Sequence, residues 1–306
     1  MSIASEITAL NTNLSAAKTA VTTKGGTVGD TGLAGLADEI ATIPTGGSLA
    51  NYGSITYLDA NNEEQTLTLA SEDDFIELSI GGSDSVININ NTSMTKNKIT
   101  SVTVADGVQY LPNRFCIGCT GLTSATLPST IHYIGNNVFS NCSALNSALT
   151  LINVKYIGEQ FLYGSTSFNQ SISLPNIDII DGYFLNGCSA FNSSITLNDN
   201  MKTIGQRFMD SCTNFAQPLS IPSGLEQPIQ TRFMYLCNSF TGPLACNSSL
   251  MPTGTGSQLN QILSTTDSSA SMYTTGITLT GTYASDLQTT LPDRDSSPYR
   301  KLIVGS

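Results

Sequence analysis

The chain has 306 residues, a formal net charge of −11, only 11% charged and 40% apolar residues, and no tryptophan. That length suits two or three domains with a real core. The acidic balance repels a phosphate backbone, so no nucleic-acid partner is expected. No run approaches the roughly 20 apolar residues that span a bilayer, so membrane insertion is not expected.

No basic start followed by an apolar run marks a secretory signal peptide, which points to synthesis in a cytoplasm. The seven cysteines are an odd number, and they fit reduced core residues better than a disulfide framework. Ser, Thr, Asn and Gly carry most of the polarity, as in stacked β structure whose turns need them.

Residues 1–46 form the first zone. Ile3, Ile7, Leu10, Leu14, Ala17 and Val21 alternate spacings of four and three, the heptad pattern of a short coiled coil. Gly25-Gly26 supply its stop. A second short helix carries Leu33, Leu36, Ile40 and Ile43 before Pro44. An amphipathic helix packed on its own domain is the plainer alternative. So short a segment has little of its own to bury, which favours self-association or docking through Ile3, Ile7, Leu10, Leu14 and Val21. Thr45-Gly46-Gly47-Ser48 reads as a linker.

The second zone, 49–98, alternates apolar stretches with turn residues: Ile55, Tyr57 and Leu58 before Asn61-Asn62, then Leu67 and Leu69. Phe75, Ile76, Leu78 and Ile80 precede Gly81-Gly82, and Val86, Ile87 and Ile89 precede Asn90-Asn91. Strand, turn, strand throughout is the expectation, in a small β module that caps the third zone.

The third zone, 99–246, repeats. Leu111, Ile134, Ile157, Ile180, Ile204 and Ile229 lie 23, 23, 23, 24 and 25 residues apart. The same series relates Phe115, Val138, Phe161, Phe184, Phe208 and Phe233, and also Cys116, Phe139, Leu162, Leu185, Met209 and Met234. It relates Cys119, Cys142, Ser165, Cys188, Cys212 and Cys237, and finally Leu122, Leu145, Phe168, Phe191, Phe215 and Phe240. One turn cannot bury its own Phe and Ile, so about six turns must stack into continuous apolar columns. Ile172/Leu174, Ile195/Leu197 and Leu219/Ile221 alternate as ladder strands should. Residues 247–306 are expected to cap the far end and finish in Leu302-Ile303-Val304.

The stretch LTSATLPSTIHYIGNNVFSNCSA (122–144) resembles the leucine-rich repeat of the BspA type, and FNQSISLPNIDIIDGYFLNGCSAFNSS (168–194) resembles a related surface-protein repeat. The resemblance implies a mainly β solenoid. Ser165 in the Cys column, and Asp181 and Gln230 in place of Gly, depart from it. LSAAKTAVTTKGGTVGDTGLAGLADEIATIP (14–44) looks like the N-terminal segment of many bacteriophage tail, fibre and other virion proteins. YGSITYLDANNEEQTLTLASEDDF (52–75) resembles a module found after that segment, and LPDRDSSPYRKLIVG (291–305) has a similar character. These likenesses imply a virion component with an attached N-terminus and a displayed repeat.

Residues that carry chemistry elsewhere have structural readings here. Cys116-Ile117-Gly118-Cys119 is a redox or half-zinc motif in form, but its cysteines fall in two core columns with no further ligands nearby. His132, the sole histidine, sits where other turns carry Gln109, Lys155, Asp178 or Lys202, so a solvated strand face is expected rather than a catalytic site. Asp59, Glu63, Glu64, Glu72, Asp73 and Asp74 could flank a sugar or an ion, yet they fit solvated turns and single out no acid–base pair. Tyr110, Tyr133 and Tyr156 recur every 23 residues and predict a vertical aromatic row. The row is either half-buried packing or an exposed strip for a glycan or protein receptor.

The expectation is a non-enzymatic phage virion protein without cofactor or metal. Its N-terminal segment binds other virion proteins and makes homo-oligomers, and its solenoid adheres to a host surface glycan or protein, or to a virion neighbour. A purely structural head-decorating or fibre protein and a bacterial surface adhesin are the alternatives, with a depolymerase spike behind them.

Overall fold

The computed structural model describes residues 49–230, 232–240 and 244–245 and the strand segments 277–280 and 302–304. The helical segment expected over 1–46, with Ile3, Ile7, Leu10, Leu14 and Val21, lies outside the described residues.

Strand β1 (Gly53–Leu58) pairs antiparallel with β2 (Glu64–Leu69). Their turn is closed by Asp59, whose Oδ1 accepts the backbone N–H of Asn61 at 2.8 Å and of Glu63 at 3.0 Å. Residues 72–77 are not the expected strand but a helix, α1 (Glu72–Glu77). The Ser71 hydroxyl accepts the Asp74 N–H and the Asp74 carboxylate accepts the Ser71 N–H, both at 3.1 Å. This reciprocal cap, with three acids at the positive end of the helix dipole, outweighs the loose alternation of Phe75, Ile76 and Leu78. Strands β3 (Val86–Ile89) and β4 (Thr92–Thr95) form a hairpin. Its two linking residues, Asn90 and Asn91, have φ of 48° and 61°, the conformation that matches strand twist in two-residue turns.

Strand β5 (Ile99–Val104) joins module to solenoid. It pairs antiparallel with β1 on one side and parallel with β7 (Ser124–Thr126) on the other. The first rung of the ladder is thereby covered rather than left as an open edge. Gly53 permits this closeness, since a Cβ there would lie 1.9 Å from the Thr103 carbonyl oxygen.

Beyond that point the chain winds in turns with two strand positions each. One ladder is continuous: β6 (Tyr110–Leu111), β8 (Tyr133–Ile134), β9 (Tyr156–Ile157), β11 (Ile179–Ile180) and β13 (Thr203–Ile204) stand in parallel register. The other is in pieces. After β5–β7, strand β10 (Ile172–Leu174) pairs with β12 (Ile195–Leu197). A separate sheet holds β14 (Leu219–Ser220), β15 (Leu244–Ala245), β16 (Ile277–Thr280) and β17 (Leu302–Val304), all parallel. The last two strands show that part of 247–306 adds rungs to the ladder, and Leu302-Ile303-Val304 is its final one.

Between the ladders the backbone takes left-handed φ at alternate residues: 114, 116 and 118, then 137, 139 and 141, then 160, 162 and 164, then 183, 185 and 187. Twelve such residues include only three glycines, and each non-glycine there costs about 1 kcal/mol or more. The return is bonding between turns. The N–H of Arg114, Asn137 and Gln160 reaches the carbonyl of Asn136, Glu159 and Gly182 at 2.6, 2.6 and 2.9 Å. Phe139 and Leu162 bond back to Phe115 and Val138 at 3.0 and 3.1 Å.

Inside, Phe75 meets Phe115 with ring centres 4.8 Å apart and planes tilted by 39°, and the row continues through Phe139, Phe161, Phe184, Phe208 and Phe233. In the second turn the ring belongs to Phe139 rather than to Val138 of the Phe column. The rings therefore cross edge-on around it, at 70° and 61°, and lie nearly parallel from Phe161 onward. A second row joins Phe168, Phe191, Phe215 and Phe240. One apolar cluster runs from Ile55 to Leu244, so module and solenoid share a core.

Helix α1 stands in for a missing earlier turn. The Leu78 carbonyl accepts the Cys116 N–H at 3.1 Å, as the Phe115 carbonyl accepts that of Phe139. Fully buried Lys96 ties this cap down, donating through Nζ to the carbonyls of Leu78 at 2.8 Å and Ile80 at 3.0 Å.

Candidate binding surface

The cysteine column belongs to the scaffold. Cys142, Cys188, Cys212 and Cys237 each donate S–H to a carbonyl of the preceding turn, those of Cys116, Leu162, Leu185 and Met209, at 2.9–3.1 Å. Ser165 does the same, its hydroxyl reaching the Phe139 carbonyl at 2.8 Å. The column therefore selects a small side chain with a donor, which cysteine and serine both supply. Burial pushes the thiols of Cys116, Cys142, Cys188 and Cys212 upward, away from the reactive thiolate. Among the described residues, no three His, Cys, Asp or Glu are grouped to hold a metal.

His132 is half-buried just before β8, with Nδ1 2.7 Å from the Thr130 carbonyl oxygen, so Nδ1 carries the proton. Of the acids in the second zone, Asp59 closes a hairpin, and backbone N–H donors, Glu63 first, hold its carboxyl below the usual range. Glu72, Asp73 and Asp74 form the first turn of α1.

The tyrosine row exists. Tyr110, Tyr133 and Tyr156 are direct neighbours in register across β6, β8 and β9. Tyr133 is buried, while Tyr110 and Tyr156 are half-exposed. The Tyr156 hydroxyl donates to the Asp181 carboxylate, so the departure of residue 181 from glycine supplies the row with an acceptor. Burial, and then that carboxylate, raise the Tyr156 phenol well above its ordinary value.

Sequence reasoning missed a second cluster, on the left-handed arc. Arg207 and Arg232 occupy corresponding left-handed positions in adjacent turns, with φ of 55° and 57°. Both approach one oxygen of buried Asp210: Arg207 Nη1 lies 3.5 Å and Arg232 Nε 2.9 Å from Oδ2. The 2.9 Å approach lies off the N–H axis, so it is an ion pair rather than a linear hydrogen bond. The other oxygen accepts the Ser211 hydroxyl at 2.8 Å. The Arg207 guanidinium lies 5.4 Å from the centre of the Tyr183 ring and that of Arg232 lies 4.1 Å from the centre of Tyr235. Tyr163 meets Tyr183 edge-on at 6.5 Å. Two cations, each about one-third exposed, thus share one carboxylate.

A third feature is a groove of about 450 Å³ where the second ladder breaks between β12 and β14, lined by Ile195, Leu197, Asp199, Pro218, Leu219 and Ser220 among others.

The family of the BspA type leucine rich repeat region matches residues 73–169 and 155–249 in six copies. The chain belongs to that family. The match opens within α1, in keeping with the role of that helix as a substitute turn. No curated protein matches the chain. A solved leucine-rich repeat protein from Bacteroides ovatus ATCC 8483 is similar at 16% identity and a TM-score of 0.43, over 67% of this chain and 54% of that one. The chain thus spans about half the length of that protein.

Proposed function

We propose that this chain is a non-enzymatic bacteriophage virion protein that displays its solenoid for adhesion to a host surface or to a neighbouring virion protein. Residues 1–46 form the attachment and homo-oligomerisation segment, 49–98 the capping module, 99–246 the solenoid and 247–306 its far end. The observation that carries the adhesive part is the division of side chains within each turn. Phenylalanines, cysteines and aliphatic residues fill the interior columns. Half-exposed tyrosines and arginines, Tyr110, Tyr156, Tyr163, Tyr183, Arg207, Arg232 and Tyr235, gather outside. Tyrosine and arginine are the residues that most often dominate binding surfaces.

The virion part rests on the likeness of residues 14–44 to phage structural proteins. A bacterial surface adhesin shares the repeat and differs only in how it is attached. Antibody against the purified chain, used to label intact phage particles for electron microscopy, tests the reading: label at the tail or capsid is expected. Label confined to bacterial cell surfaces would replace the virion with the adhesin. Binding of the full chain to host cells that survives washing separates adhesion from decoration, and sugar release from host glycans would overturn the non-enzymatic assignment.

A further inference from the structure

We propose that the Arg207–Asp210–Arg232 cluster is a recognition site for the acidic group of a sugar, a carboxylate or sulfate carried on a surface polysaccharide. The proposal rests on the adhesive reading above and names the face and the ligand chemistry.

Three observations lead to it. The first is charge. In a chain of net charge −11, two guanidiniums converge on a single carboxylate, leaving a local excess of one positive charge. Asp210 is 2% exposed at its side chain and cannot turn outward, while the arginines are 32% and 34% exposed.

The second is donor capacity that the described residues leave unused. A guanidinium has five N–H donors in a fixed plane. Arg207 engages Asp210 through Nη1 and Arg232 through Nε. Both Nη groups of Arg232, and Nε and Nη2 of Arg207, make no hydrogen bond to other described residues. Paired N–H groups of this kind grip a carboxylate or sulfate through two parallel bonds.

The third is preorganisation. Each guanidinium lies against a tyrosine ring, Tyr183 or Tyr235. The two residues sit at the same position of adjacent turns, whose spacing is about 4.8 Å. Little side-chain freedom remains to be lost on binding, and one anion can meet both arginines.

The surroundings favour a sugar over an acidic peptide. Peptide and protein partners anchor apolar side chains in pockets, and the exposed large apolar residues of the described chain, Ile80, Val86 and Ile152, lie in other turns or in the cap. The rim here is hydroxyl and amide: Tyr163, Tyr183 and Tyr235 with Gln206. Such groups hydrogen-bond sugar hydroxyls while their rings give flat contact.

The full chain is passed over immobilised polyglucuronate, dextran sulfate, unmodified dextran and polyglutamate at several salt concentrations. Expected is binding to polyglucuronate, to dextran sulfate or to both, weakening as salt rises. Binding to one of them alone assigns the carboxylate or the sulfate. The R207Q/R232Q variant should lose roughly tenfold or more in affinity. D210N keeps both cations while losing their buried partner, so it should bind at least as well as the parent although it melts earlier. A folding defect alone would weaken both variants. The proposal fails if neither acidic polysaccharide binds, if dextran or polyglutamate binds equally well, or if R207Q/R232Q binds like the parent. Host-cell adhesion undiminished in R207Q/R232Q overturns this site and leaves the adhesive reading standing. Polysaccharide binding without cell adhesion does the reverse.

Discussion

The two arcs of each turn obey different rules. From the Ile column to the Leu/Phe column the chain takes 11 residues in every turn, from Leu111 to Leu122 and still from Ile229 to Phe240. The return to the next Ile column takes 12 residues in the first three turns, then 13 from Phe191 to Ile204 and 14 from Phe215 to Ile229. All variation in repeat length therefore falls on the return arc. The constant arc holds the phenylalanine row, the cysteine column and the alternating left-handed backbone, bonded to the turns on both sides. The return arc carries the broken ladder. In the second turn it has no strand, and the Ser147 hydroxyl bonds the N–H of Ala125 at 2.9 Å instead. Where it lengthens, the groove opens. Backbone groups that are committed in two directions fix the length of a segment, and a solenoid stores its variation where they are not.

That contrast can be broken most severely by one alanine inserted after Asn186, in the constant arc. Every later donor in the turn then faces the wrong acceptor, and a loss of roughly 5 kcal/mol or more is expected, read from urea unfolding. Phe184→Ala removes a ring held between Phe161 and Phe208 and should cost about 3–5 kcal/mol in the same assay. A cost below that of a surface substitution would mean that the row is dispensable.

Ser165→Ala leaves the Phe139 carbonyl without its 2.8 Å hydroxyl donor and should cost about 1–3 kcal/mol, whereas Ser165→Cys should be nearly neutral. Equal losses from both would remove the donor rationale for the column. One glycine inserted beside Asp199, on the return arc, should change stability by less than about 1 kcal/mol. The smallest effect concerns pH. The Tyr156 phenol is raised in the folded protein, so its contribution is whole below the unfolded ionisation near pH 10 and is lost as pH climbs beyond it. Thermal melting of Tyr156→Phe should accordingly fall less steeply above pH 10 than that of the parent.

The columns were legible because each places one burial environment at a fixed interval, and identical environments admit few residue types. The Asn90-Asn91 turn was legible because few residues tolerate its backbone. Helix α1 was not, because six residues are too few for a helical period; its signal was the capping pair Ser71 and Asp74. The Tyr110–Tyr133–Tyr156 row could be read from its recurrence, but not the burial of Tyr133, which depends on what the neighbouring turns place over it. The arginine cluster escaped because its column changes identity, from Arg114 through Asn137, Gln160 and Tyr183 to Arg207 and Arg232. The usable signal was that arginines fill this column position in two adjacent turns, with Asp210 three residues after Arg207. The spacings of 24 and 25, set beside the constant 11-residue arc, already place the extra residues on the return arc, but only the pairing of strands shows that the ladder there is broken.

The thiol-to-carbonyl bonds have a consequence for where such a molecule can work. Among the described residues six cysteines are free and buried, and four of them point their sulfur at a carbonyl of the preceding turn. Oxidants and alkylating agents have no path to them while the stack is closed. A solenoid assembled in reducing surroundings can then be carried into oxidising ones with these six thiols unchanged. Its thiols report the integrity of the coil rather than the chemistry of its surroundings.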